Sequence, residues 1–139
     1  MTSIADTSFV VAMMNIDDKW HQACQAIYKQ EQEILLPQTT LAEVAYMLRR
    51  ERGNMQVVSF LKLIPRMKFE ITALTDDDIQ HTAAILEKYN DTRLDFVDVS
   101  IVAIAERLEI THILTLDQRD FRIVQPKHCP YFKLFPLHI

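Results

Sequence analysis

The sequence predicts an α/β domain with a mainly parallel sheet, on three observations. Short apolar runs alternate with helix-length segments along the chain, the order that lays covering helices over a parallel sheet. No Asn-Gly or Asp-Gly pair stands between two such runs, so the usual two-residue hairpin joining antiparallel strands has no candidate. A length of 139 residues with 49% hydrophobic content suits one core, and so one domain spanning 1–139.

Thr2 to Ala5 is short and half apolar, and the Asp6-Thr7-Ser8 that follows is good helix-starting composition, so a strand ends at Asp6 and a helix begins. Trp20 to Gln32 carries Trp20, Ala23, Cys24 and Ile27 at helical spacing. Ile34-Leu35-Leu36, stopped by Pro37, is a buried strand. Thr39 to Arg50 is a helix, and the only glycine in the chain, Gly53, follows where a helix C-terminus favours one. Met55 to Leu63 forms a further helix that ends before Pro65, and Phe69 to Thr72 a further strand. Thr75 opens a helix running to about Tyr89, with Asp76, Asp77 and Asp78 at the positive end of its dipole.

Val97 to Leu108 is almost wholly apolar and should be the most buried helix. It feeds a strand from His112 to Leu116 that ends on Asp117. The tail from Gln125 holds Pro126, Pro130 and Pro136 among aromatic residues, so it is irregular or a short edge strand, because proline removes donors a central strand needs.

Several function classes lose support. No uncharged apolar run is long enough to span a membrane, and the N-terminus lacks a basic stretch followed by an apolar one, so a cytoplasmic protein with no membrane segment is expected. Cys24 and Cys129 have no CxxC spacing, which removes a disulfide framework and a cysteine zinc site, and both read as buried thiols. A single glycine excludes a glycine-rich phosphate loop. His21, His81, His112, His128 and His138 show no zinc-ligand spacing. Ser8 has no GxSxG context and no histidine base nearby in sequence. Met13, Met14, Met47, Met55 and Met67 fit core positions. The net charge of -4 weighs against a general nucleic-acid binder, although Arg49, Arg50 and Arg52, and Lys62, Arg66 and Lys68, crowd together locally.

What remains is acidic. In open α/β sheets the functional edge lies outside the carboxyl ends of the parallel strands. Asp6 and Asp117 each end a strand, Asp98 lies in the first turn of the buried helix, and Glu43 lies early in the helix after the Ile34 strand. Mg²⁺ and Mn²⁺ prefer such hard oxygen ligands and take further ligands from water and substrate phosphates. A phosphodiester resists attack by a nucleophile until its charge is neutralised, so metal ions held by carboxylates suit its hydrolysis. Each acid also has a local reading. Asp6 can be an N-cap, Thr40-x-x-Glu43 matches a capping box, Asp98 can serve the helix dipole, and Asp95 fits as the N-cap before it. Asp117 and Asp120 fit a turn.

Asp6-Thr-Ser, Glu43 in TLAEVAYMLRR, Asp98 in LDFVDVSIVAIAERL and Asp117 in ILTLDQRDF together resemble the PIN-domain family, most closely the small toxin ribonucleases called VapC. The resemblance spans essentially the whole chain. It implies a three-layer α/β/α fold with a mainly parallel central sheet and a Mg²⁺- or Mn²⁺-dependent endoribonuclease. Asp6, Glu43, Asp98 and Asp117 match the four acidic positions, and Ser8 and Thr115 match polar positions that assist them. A homodimer inhibited by a cognate antitoxin is implied as well. Val99 stands where alanine is frequent and Glu109 where a helix-ending glycine is frequent. Arg49, Arg50 and Arg119 are the candidates for holding the RNA backbone. Two other readings stay open: a non-catalytic PIN-like RNA-binding or scaffold module, and a receiver-like domain phosphorylated on aspartate, which would need a lysine near the acidic edge.

Overall fold

The alternating apolar pattern resolves into a sheet with a core on each face. In the computed structural model, which describes residues 1–137, the strands are β1 (Thr2–Ala5), β2 (Glu33–Pro37), β3 (Phe69–Thr72), β4 (His112–Leu114) and β5 (Lys133–Phe135). All neighbours pair in parallel, in the order β3-β2-β1-β4-β5. Successive strand residues point to opposite faces, and the packing follows that period. Ile4, Leu35 and Ile113 enter one core, while Ala5, Ile34, Leu36 and Leu114 enter the other.

Helices α1 (Thr7–Met14), α2 (His21–Gln30), α3 (Thr40–Arg52) and α4 (Asn54–Leu63) cover the second face. Helices α5 (Asp76–Lys88) and α6 (Phe96–Leu108) cover the first, with Phe121 of α7 (Gln118–Ile123) packed beside them. The three-layer α/β/α arrangement follows. Helix α6 is the most buried: Val99 through Ala105 are all enclosed, which explains its nearly uniform apolar composition. Among the described residues no helix is long and apolar enough to cross a membrane. His138 lies outside the described residues.

Local chemistry sets the element ends, and four readings change. The strand expected to reach Leu116 stops at Leu114, because side-chain hydroxyls replace the ladder: Leu116 N donates to Ser8 Oγ at 2.9 Å and Asp117 N to Thr115 Oγ1 at 2.9 Å. The expected Asp117–Asp120 turn is the start of α7, anchored by Gln118, whose amide donates to the Pro136 carbonyl at 2.7 Å. The capping box falls at Thr75 and Asp78 rather than at Thr40 and Glu43; Thr40 Oγ1 donates to the Pro37 carbonyl instead. Met55 is 72% exposed and belongs to no core. The tail supplies β5, an edge strand. Cys24 is buried, Cys129 half-buried, and both are free thiols.

Gly53 ends α3 at φ 85°, and Glu109 ends α6 in the left-handed region at φ 55°. A side chain there crowds the following carbonyl. Glu109→Gly should therefore stabilise the protein by about 1 kcal/mol, read as a higher denaturation midpoint in urea at unchanged slope.

Candidate active site

The strand order reverses between β1 and β4, since the chain passes from β1 outward to β2 on one side and returns to β4 on the other. A crevice forms outside the carboxyl ends of strands at such a switch point. The two strand ends are locked together there by Asp6 N donating to the Leu114 carbonyl at 3.0 Å. A cleft of about 790 Å³ opens above them, lined by Asp6 from the β1–α1 junction, Glu43 from α3, Asp98 from α6 and Asp117 from the residue before α7.

Asp6 caps α1. Its Oδ1 accepts from Phe9 N at 3.0 Å and from Ser8 Oγ at 2.7 Å, and its Oδ2 accepts from the Thr115 hydroxyl. The capping reading and the site position thus coexist in one side chain. Only 3% exposed, Asp6 has its carboxyl pushed up to about 6 by burial, against which the Thr115, Ser8 and Phe9 donors act; the charge of Asp117 adds to the rise. Glu43 accepts from Thr7 Oγ1 at 2.6 Å, a bond between α3 and α1 that takes it out of local helix capping.

Asp95 is the N-cap of α6, accepting from Asp98 N at 2.9 Å, and this sets Asp98 in the first turn facing the cleft. Burial and then the charge of Asp95 push the Asp98 carboxyl up to about 8, with Asp6 and Asp120 adding to it. Asp117 is more exposed, and its carboxyl is raised by burial and by Asp120. Ser100 braces the same helix turn, its hydroxyl 2.9 Å from that of Thr39 before α3.

The raised carboxyls share a cause: desolvated like charges oppose each other's ionisation. A divalent ion would relieve that opposition. The donor set is all oxygen and opens onto a solvent-accessible cleft, and it fits Mg²⁺ or Mn²⁺ rather than zinc. The acids line the cleft without closing on one point: among the described residues no group of three His, Cys, Asp or Glu side chains is already arranged to hold an ion.

Thr115 does not line the cleft but lies beneath it, fully enclosed, joining Asp6 to the Asp117 backbone through one hydroxyl. Arg49, Arg50 and Arg119 are exposed and do not line the cleft. Arg50 pairs with Glu51 and stacks over Tyr46 instead. The residues that sequence reasoning missed are Asp18, Tyr46, Arg93 and the inward placement of Asp120, all on the lining. Asp120 is only 8% exposed and pairs with Arg93. Tyr46 and Asp120 lie within three residues of predicted site residues, which does not state a direction, and Asp18 and Arg93 carry no motif at all.

The profile of the PIN domain matches residues 4–125. Over 134 residues the chain is 26% identical to Ribonuclease VapC26 of Mycobacterium tuberculosis, covering 96% of this chain and 99% of that one. Among solved structures it is similar to VapC20 of Mycobacterium tuberculosis, a sarcin-ricin loop cleaving toxin, with TM-score 0.73 and 20% identity over 80% of this chain and 86% of that one. It is also similar to VapBC2 from Rickettsia felis, bound to a DNA fragment from its promoter, with TM-score 0.64 and 18% identity over 96% and 97%. The structural likenesses speak for the fold, and the profile match extends over most of the chain. This protein belongs to the PIN-domain family.

Proposed function

We propose that this chain is a single-domain, divalent-metal-dependent endoribonuclease, the cytoplasmic toxin of a toxin-antitoxin pair. The observation that carries the proposal is the convergence of Asp6, Glu43, Asp98 and Asp117 on one cleft at the switch point of the sheet. The choice of RNA and of a protein antitoxin as partners rests on similarity to Ribonuclease VapC26 and to structures of toxin-antitoxin complexes. A homodimer is the expected assembly.

Asp6, Glu43, Asp98 and Asp117 would hold one or two Mg²⁺ or Mn²⁺ ions. A bound ion neutralises phosphate oxygens and lowers the pKa of water for attack on phosphorus. The protein's own part is positioning. Ser8 and Thr115 fix both oxygens of Asp6, Thr7 of α1 holds Glu43 of α3, and Asp95 sets the rotation of the first turn carrying Asp98. Burial and the charge of Asp95 hold the Asp98 carboxyl well above the usual carboxylate range, so a bound cation would favour its ionised form.

Purified protein should cut RNA with Mg²⁺ or Mn²⁺, and should lose that activity with chelator, with Asp6→Asn and with Asp98→Asn. Equal activity in all four conditions would sink the site. RNA binding without divalent-ion binding by calorimetry would favour a non-catalytic module.

A further inference from the structure

The cleft has an electrostatic problem that bound metal ions alone would not solve. Among the described residues seven acidic side chains line it, and Arg93 is the only lysine or arginine on the lining. Ions held by the four central acids would neutralise the phosphate being cut, but a polynucleotide brings further phosphates into the same acidic field. Those phosphates need a fixed cation, or the substrate is repelled.

Arg93 is built for that contact. It sits in the connection between α5 and α6, whose backbone is pinned on both sides: Thr92 Oγ1 donates to the Tyr89 carbonyl at 2.7 Å, and Leu94 is 8% exposed in the core. The side chain itself is 52% exposed. Its Nε donates to Asp120 Oδ1 on α7, which orients the guanidinium. Among the described residues the two terminal nitrogens make no hydrogen bond to protein, so the end-on fork is open. That fork matches two phosphate oxygens in one plane.

Resting on the ribonuclease reading above, we propose that Arg93 is a phosphate-binding residue of this chain: held by Asp120, it grips an RNA phosphate next to the one cut. The contact sets where the strand lies relative to the four acids.

The test uses a short fluorescent RNA with Mg²⁺, comparing wild type, Arg93→Ala and Arg93→Lys, with kcat and KM measured from about 50 to 200 mM monovalent salt. Arg93→Ala should raise KM by about tenfold or more, the scale of one lost charge-assisted bond, with kcat little changed. It should also flatten the dependence of log(kcat/KM) on log salt by about 0.7, one single-strand phosphate contact. Arg93→Lys should restore the slope and part of the KM. An Arg93→Ala protein with wild-type KM and slope overturns the inference while leaving the ribonuclease reading intact. So does a loss confined to kcat, which would mark the Arg93–Asp120 pair as a brace for the acids. A wild type that cuts no RNA removes both readings together.

Discussion

Asp98→Asn is expected to abolish RNA cleavage while making the metal-free protein more stable in alkaline solution. Loss of groups that merely orient metal ligands costs 10- to 100-fold, so loss of a ligand should exceed about a hundredfold. The stability effect has the opposite sign for a physical reason. Burial and the neighbouring Asp95, Asp6 and Asp120 raise the folded-state pKa of Asp98 to about 8, far above its unfolded value near 3.9. A carboxyl raised in this way contributes its full stability below the unfolded pKa and loses it as pH climbs through the folded one. Above pH 8 the folded wild type carries an unfavourable anion that asparagine does not. The gain should be on the order of 1 kcal/mol after solvent screening, and it should shrink toward pH 6. Thermal melts in chelator at pH 6 and pH 8.5 check it; a Tm lowered at both would contradict the electrostatic account.

Thr115→Val is the second large effect, at a position outside the cleft. Valine keeps the shape but removes the hydroxyl that donates to Asp6 and accepts from Asp117 N. Without that donor Asp6, already raised by burial, holds its proton more tightly and competes less well for a cation. The metal concentration giving half-maximal activity should rise by about 10- to 100-fold, and stability should fall by about 1–3 kcal/mol because Thr115 is fully enclosed. Thr115→Ser, which keeps the hydroxyl, should stay close to wild type in metal dependence. A valine variant with unchanged metal titration would remove Thr115 from the site.

The sheet and the acids were legible because their signals are local. Ile34-Leu35-Leu36-Pro37 and His112-Ile113-Leu114 carry their strand identity in a few residues, and acids at strand ends fall on one edge by topology alone. The capping readings of Asp6 and Glu43 rest on sequence neighbours alone, and contacts from afar add to one and replace the other. Asp6 is both a cap and a lining residue, and the partner that takes Glu43 out of the capping box is Thr7, 36 positions away. Helix α7 was illegible because its stability is tertiary: Asp-Gln-Arg-Asp has turn composition, and only the burial of Gln118, Asp120 and Phe121 makes it helical.

The arginines show the limit of sequence neighbours as well. Arg50 lies one turn beyond the lining residue Tyr46, and its guanidinium stacks over that ring and pairs with Glu51 instead of lining the cleft. Arg119 is exposed between Gln118 and Asp120, both buried. Arg93 had no periodicity to reveal it, since its orientation depends on Asp120 across the cleft.

The central claim is that four carboxylates brought together by β1, α3, α6 and the end of β4 form one divalent-cation site. Anomalous scattering from a crystal soaked in Mn²⁺ tests it most directly. The account predicts a manganese peak within coordination distance of Asp6 and Asp98, absent in Asp98→Asn. A peak elsewhere, or one undiminished in the variant, would contradict it.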